Sequence, residues 1–404
     1  MILNYKMKNI CPVIVGLGYV GLPIFLHLQE HFNTVGFDIN KKRIISLKKR
    51  KDYNKEFSNK DLKLKKKSIF TNKLKDIKKG NFYIVTVPTP VDKKNIPDLK
   101  ILKKSCKFLS RIIKKGDIIF FESTVYPTVT DEICIPILNT SGLQENKDFY
   151  VGYSPERINP GDKKKTLKSI PKIVAFKNNI IKKPVKKVYN QISKKIIFSK
   201  NIIEAETSKV IENIQRDLNI ALINEIYKVC DISNINFRNV LNLAKSKWNF
   251  IPFEPGLVGG HCLPVDPYYF SFFAKKKGAK TDIILNGRKT NNSMANFVAS
   301  KISKKITNIH NYKKKKIIVM GLTYKKNVAD TRNSLAIKIL KILQKKFKNI
   351  NACDPLIENK KYNNLKIIGG KMINKFDIYI ILNKHDTFRN IIKNIQRKKI
   401  IYPF

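Results

Sequence analysis

The sequence predicts an α/β protein of two doubly wound parallel-sheet domains joined by a central helical domain with one long helix. Three observations carry that expectation. At the N-terminal end, short β-branched runs alternate with helical patterns, as parallel sheets covered by helices require. In the middle, a helical periodicity runs without Pro or Gly from residue 204 to residue 230. From Lys316 a second strand, glycine turn and helix follow one another. At 404 residues the chain exceeds one ordinary domain, and the expected divisions are 1–203, 204–310 and 311–404.

The first strands are expected at 11–16, 35–38, 82–87 and 117–122, with helices near 20–31, 41–49 and 99–113. The lysine runs at 163–168 and 182–187 read as solvated loop or helix surface. Val210, Ile211, Ile214, Leu218, Ala221, Leu222 and Ile226 then recur at helical spacing, which predicts one helix over 204–230, roughly 40 Å long at the helical rise. A rod of that length joins domains or forms a subunit interface. Further helices are expected at 237–247 and 291–306. The last region reads as strand 317–320, turn 321–323, helix 334–346 capped by Ser334, and strands 350–353 and 378–382.

Hydrophobic residues make up 43% of the chain, enough for packed cores, and the net charge is +51. Such a charge can signal nucleic acid or an anionic membrane. Here the excess is nearly all Lys, with ten Arg, and runs through the whole chain. Asn and Ile are abundant too, and the three share A/T-rich codons, so compositional drift is preferred over specific nucleic-acid binding. No helix-turn-helix, zinc or RNA-recognition signature accompanies the charge, which would still draw anionic substrates inward. The six cysteines form no CxxC pair and no zinc-ligand spacing, so no metal is expected. No apolar run approaches the roughly 18 residues of a membrane span, and residues 1–9 are too short and polar for a signal peptide. A cytoplasmic protein with no membrane partner is expected.

Chemistry is concentrated in a few motifs. Gly16-Leu-Gly-Tyr-Val-Gly21 follows a strand and opens a helix, and Asp38 ends the next strand. That is a Rossmann-like fingerprint: Gly16 for the turn, Gly18 for close approach of a pyrophosphate, Gly21 for helix packing, and Asp38 for the ribose hydroxyls. Asp38 favours NAD over NADP, whereas Arg43 is placed to pair with a phosphate. Thr89 in Val87-Pro-Thr-Pro90 and Thr124 in Glu122-Ser-Thr-Val125 leave strands at the carboxyl edge of the sheet, where ligands bind; either is equally a structural hydroxyl. Glu156 and Arg157 offer an acid beside a base, or a plain ion pair. Lys209 and Asn213 share one face of the long helix, with Arg216 one turn on. Finally, Gly256-Leu-Val-Gly-Gly-His-Cys-Leu-Pro-Val-Asp266 sets a thiol, Cys262, four residues before a carboxylate. A thiolate adds to an aldehyde to give a thiohemiacetal, which oxidises to a thioester and hydrolyses to a carboxylate; a buried, inert thiol is the alternative.

In this combination and order the motifs resemble the UDP-glucose/GDP-mannose dehydrogenase family over nearly the whole chain. Gly-Gly-His-Cys followed by Val-Asp-Pro-Tyr-Tyr resembles its UDP-N-acetylhexosamine branch. Trp248-Asn-Phe250 and Pro255-Gly-Leu-Val258 look closest to the enzymes of Vi-type capsule and O-antigen synthesis, which act on UDP-N-acetylglucosamine or its galacto epimer. Leu263-Pro264, where that branch has Ile-Gly, and Glu254 beside the substrate loop depart from the pattern. The resemblance implies Cys262 as nucleophile, Lys209 at the developing oxyanion, and Asn213 with a water held by Thr124 and Asp266 in support. Glu156 would serve thioester hydrolysis. Cofactor contacts would come from Gly16, Gly18, Tyr19, Val20, Gly21, Asp38, Arg43, Thr89, Thr124 and Arg332. The UDP-sugar would meet Arg157, Ile158, Lys209, Asn213, Arg216, Gly259, Tyr324 and Lys325. Asp354 resembles the acid ending a second Rossmann strand. Two NAD per substrate and a homodimer through the long helix are implied as well.

Overall fold

The structure is a computed structural model that describes residues 9–158, 166–357, 361–362, 365–368, 373, 375–395 and 399–404. Part of the lysine run expected at 163–168 therefore lies outside the described residues. The chain divides into two compact units, one of residues 1–212 with 268–279, the other of 213–267 with 280–404.

The first unit holds β1 (Pro12–Val15), α1 (Gly21–Leu28), β2 (Val35–Phe37), α2 (Lys41–Lys48), β3 (Ile69–Thr71), α3 (Leu74–Ile77), β4 (Phe82–Val85), α4 (Lys100–Leu109) and β5 (Ile118–Phe121). A π-helical turn at Thr130–Cys134 leads into α5 (Ile135–Asn139), and β6 (Tyr150–Tyr153), β7 (Lys172–Phe176), α6 (Lys182–Ile192) and β8 (Ile196–Phe198) follow. The eight strands form one sheet in the order β3-β2-β1-β4-β5-β6-β7-β8. All neighbours are parallel except β6 and β7. β1, β4, β5 and β6 are buried along their whole length, which is why they read as unbroken apolar runs. The strand order reverses between β1 and β4, so the crevice for a ligand opens at their carboxyl ends. Phe82 stacks on Phe120 at 5.7 Å, and Tyr189 meets Phe120 edge-on at 5.1 Å, sealing α6 onto the sheet. The lysine run at 182–187 is thus the outer face of a helix whose Pro184, Val185 and Val188 are buried.

Helix α7 (Ile202–Ile232) runs for 31 residues, capped by Asn201, whose side chain accepts from Glu204 N at 2.9 Å. It is four residues longer than its 27-residue expectation. Then come α8 (Phe237–Ala244), α9 (Asp266–Lys276) and α10 (Asp282–Thr307). The second unit ends in β9 (Ile317–Met320), α11 (Leu335–Lys346), β10 (Ile350–Cys353), the antiparallel pair β11 (Lys361–Tyr362) and β12 (Leu365–Lys366), β13 (Ile378–Ile381), α12 (Arg389–Asn394) and β14 (Lys399–Ile401). Its parallel sheet has the order β10-β9-β13-β14. Ser334 caps α11 by accepting from Ile337 N, as expected. In this unit α7 is tied to α10 by a buried ion pair, Arg288 to Asp217 at 2.6 Å, with Asn291 also donating to Asp217 at 2.7 Å. The predicted α/β architecture, two parallel sheets and a long central helix, is the one observed.

Candidate active site

The turn after β1 is built for close approach. Gly16 has φ +98°, and a Cβ on Gly21 would lie 1.8 Å from the Gly16 carbonyl, so only glycine lets the turn close onto the start of α1. At Gly18 the same position is open space. No side chain caps α1, and in its first turn Leu22 N and Ile24 N donate to Gly18 O and Val20 O; the positive end of the helix still faces the turn where a pyrophosphate would lie. Tyr19 and Val20 are half-buried beside it. Asp38 accepts from Leu17 N at 2.9 Å with one oxygen and from Asn40 N at 2.8 Å with the other. Each oxygen keeps a lone pair for a ribose hydroxyl. Arg43 sits differently from its expectation. It is buried, donates from Nε to Leu17 O at 2.9 Å and pairs through Nη1 with Asp52 at 2.8 Å. Its charge is committed to Asp52, and its Nη2 is buried without a hydrogen-bond partner. These residues fit a dinucleotide.

Farther along the same edge, Thr89 donates its hydroxyl to Thr124 O at 2.6 Å and accepts from the Tyr269 hydroxyl through its carbonyl at 2.7 Å. The two threonine loops therefore meet. Behind them lies a charge cluster that the sequence did not disclose. Lys172 Nζ donates to Glu122 and to Glu156, each at 2.6 Å, and Tyr189 donates to Glu122 at 2.9 Å. All three charged groups are buried. Burial is the largest influence on Glu122 and pushes its carboxyl up to about 7 despite the Lys172 ammonium. The other oxygen of Glu156 accepts from Arg157 N and Ile158 N, both at 2.7 Å. Glu156 thus anchors its own loop as well as the cluster. Arg157 pairs with Glu212 at 2.7 Å and donates to Pro171 O at 3.2 Å, and Ile158 packs on the core of this unit. Lys209, on α7, is only 7% exposed, unlike the solvated surface that an ordinary lysine occupies.

In the second unit the cysteine loop is clamped at both ends by α7. Asn224, which sequence reasoning passed over, donates to Gly256 O at 3.0 Å and accepts from Gly256 N at 2.9 Å. Asn213 donates to Asp266, and both are buried. The middle of the loop is held by segment 324–333: Gly260 N donates to Arg332 O at 3.0 Å and Asn333 to Gly260 O at 2.8 Å. Gly260 has φ +89°, and a Cβ there would touch the Tyr324 ring at 2.8 Å. A Cβ on Gly259 would meet Tyr324 Cβ at 2.8 Å. Cys262 is half-buried between these clamps, and its carbonyl accepts from Val265 N and Asp266 N at 2.9 Å. Arg332 donates to the Asp330 carboxylate from Nε at 3.0 Å and from Nη2 at 2.6 Å, and its Nη2 lies 3.1 Å from His261 Nδ1. Lys325 is half-buried, and Arg216 and Glu254 are exposed. Among the described residues no group of three or more His, Cys, Asp or Glu is placed to hold a metal ion.

Comparison with known proteins gives this geometry a family. The NAD binding domain of the UDP-glucose/GDP-mannose dehydrogenase family matches residues 8–193, its central domain 203–293 and its UDP binding domain 318–403. The chain belongs to that family and is an NAD-dependent UDP-sugar dehydrogenase. It is 42% identical over 385 residues to a UDP-N-acetyl-D-glucosamine 6-dehydrogenase of Salmonella typhi, covering 94% of this chain and 90% of the relative. To the protein of the same name from Pseudomonas aeruginosa it is 40% identical, with 95% and 93% covered. Among solved structures, the UDP-D-ManNAc dehydrogenase of Pyrococcus horikoshii superimposes with a TM-score of 0.83 at 28% identity, covering 97% of this chain and 95% of that one. Among the described residues no helix is long and apolar enough to cross a membrane.

Proposed function

We propose that the protein oxidises the C6 alcohol of a UDP-N-acetylhexosamine, UDP-N-acetylglucosamine first among them, to the uronate used in surface polysaccharide such as capsule or O-antigen. The observation that carries this choice is identity of 40–42% along nearly the whole chain to two proteins bearing that activity in their names, against 34% or less to proteins named as mannosamine dehydrogenases. The Gly-Gly-His before Cys262 supports the same branch.

Bound NAD supplies the hydride acceptor for both oxidations, held by the turn 16–21, by Asp38 at the ribose, and by Thr89, Thr124 and Arg332. Lys209, buried on α7, steadies the oxyanion at C6 as the alcohol loses its proton and a hydride to become the aldehyde. Cys262 Sγ then bonds to the aldehyde carbon, and oxidation of that thiohemiacetal leaves a thioester. Water adds to the thioester carbon, the C–S bond breaks, and carboxylate and thiolate part. Asn213, Asp266 and Thr124 orient this water and Glu156 serves its attack. Arg157, Ile158, Arg216, Gly259, Tyr324 and Lys325 hold the sugar nucleotide. NADH release across UDP-N-acetylglucosamine, its galacto and manno epimers and UDP-glucose tests the sugar: faster turnover of the manno or gluco substrate overturns the choice. Cys262→Ala is expected to make no carboxylate, and undiminished carboxylate from it overturns the covalent route.

The protein also acts as a homodimer in this reading. Leu222, Val229 and Ile232 on α7, Leu243 on α8 and Trp248 beyond it are all more than half exposed, Trp248 at 92%. So much large apolar surface along adjoining helices is the mark of a face covered by a partner. Light scattering is expected to give twice the 46.7 kDa chain mass.

A further inference from the structure

A buried acid in the second turn of α7 has no part in the proposed reaction. Glu206 is fully buried, and three donors from one turn converge on its carboxyl. Thr128 N donates to Oε2 at 2.7 Å, and Thr130 donates to Oε1 from its N at 2.9 Å and its hydroxyl at 2.6 Å. The turn is strained: Thr128 has φ +83°, a left-handed conformation that a β-branched residue rarely takes. Such strain persists only where the surroundings enforce it. Here both backbone polar groups of Thr128 are engaged, the N–H by Glu206 and the carbonyl by Glu132 N at 2.7 Å. The strained turn ends the loop that leaves β5 and carries Thr124. On the β5 side that loop is tied to the neighbouring strand exit: the Ser123 hydroxyl donates to Val87 O at 2.7 Å, and Thr124 O accepts from the Thr89 hydroxyl at 2.6 Å. Val125 and Tyr126 between the two attachments are buried, so a shift at Thr128 finds little slack before Thr124. Lys209 stands three residues after Glu206, one turn along the same side of α7.

We propose that Glu206 is a positioning residue for the oxidation: it holds the strained Thr128 turn to α7 and so fixes the loop that carries Thr124 relative to the helix that carries Lys209. A carboxyl is needed for this. An amide in its place offers one oxygen to the three donors and turns its own N–H groups toward one of them. Thr128 N or Thr130 N then loses its acceptor, and the strain at Thr128 is free to relax. Thr128→Gly takes the same φ without strain, so the turn it makes depends less on the clamp.

This inference deepens the proposed function and rests on the place of Thr124 and Lys209 in it, not on the sugar or the nucleophile. It is tested on the full chain by initial rates of NADH formation, with whichever of the four UDP-sugars above wild type oxidises fastest. Glu206→Gln is expected to lower kcat roughly thirtyfold, with KM for NAD and for the sugar nucleotide each within about twofold of wild type. Thr128→Gly alone should stay within about twofold of wild type, and Glu206→Gln with Thr128→Gly should regain about tenfold of the loss. Thr130→Val removes one donor at little change in volume; it is expected to lower kcat about fivefold and carries the test if Glu206→Gln does not fold. Wild-type kcat in Glu206→Gln and Thr130→Val, with only the melting temperature lowered, overturns the proposal. So does a loss in Glu206→Gln that Thr128→Gly leaves untouched. Thr124→Val separates this inference from the reading beneath it: full kcat there, beside a slow Glu206→Gln, leaves the clamp standing and removes the role given to Thr124.

Discussion

Asp38 and Asp354 occupy equivalent places in the two βα halves of the chain, each directly after the second strand beside a glycine turn, and they do different work. Asp38 accepts two backbone N–H groups and stays half-buried. Asp354 accepts from Leu322 N, Thr323 N and Leu356 N and faces His385 Nε2 at 3.2 Å, with 3% of its surface exposed. An acid at a strand end serves a ligand only where the fold leaves it lone pairs. In the first half it does. In the second the acid is consumed in holding its own turn, so Asp354 matches the acid ending a Rossmann strand in place and is spent on its own backbone.

Substitutions separate the two roles. Asp354→Ala strands three N–H groups and a buried histidine, and a loss on the order of 4 kcal/mol is expected from denaturant unfolding, with KM for NAD unchanged. Asp38→Ala should do the reverse, raising KM for NAD about tenfold while costing about 1 kcal/mol of stability. If Asp354→Ala changes only kinetics, the contrast is wrong.

Proton linkage gives a subtler separation. Burial pushes Glu122 and Glu206 up to about 7 from the ordinary 4.5. Their contribution is therefore full below about 4.5 and lost as the pH rises through 7. Asp354 and Asp330 are instead held below the ordinary 3.8 by bonds that outweigh burial, so theirs is present above 3.8 and lost on acidification. Amide exchange protection, corrected for intrinsic rate, should fall around β5, which leads into Glu122, and around the Thr128–Thr130 turn that Glu206 holds, between about pH 4.5 and 7, by up to roughly tenfold per pH unit per carboxyl. The amides of Leu322 and Thr323 should hold over that window and weaken only in acid. The smallest effects belong to the caps: Asn40→Ala on α2 and Ser334→Ala on α11 should each cost about 1 kcal/mol in denaturant unfolding.

Much of this was legible in the sequence because its signals are local. The glycine turn, the acid after β2, the periodicity of α7 and the Ser334 cap are each written within a few residues. What escaped depends on distant partners. Lys172 is one lysine in a lysine-rich chain, and its carboxylates lie 50 and 16 residues away. Asn224 meets Gly256 across 32 residues. The strands β3 and β8 are three residues each, flanked by lysines. Helix α10 begins at Asp282, ahead of the expected residue 291, and carries Gly287 within it. In the fold it lets α7 approach: a Cβ there would meet Leu218 at 2.4 Å.

The proposed reaction is a four-electron oxidation carried through a cysteine-bound intermediate. Its most direct test is stoichiometry: NADH formed per UDP-N-acetylglucosamine consumed, with the product identified by mass. Two NADH per sugar with a carboxylate as sole product is the expected result. One NADH per sugar with an aldehyde accumulating would contradict it.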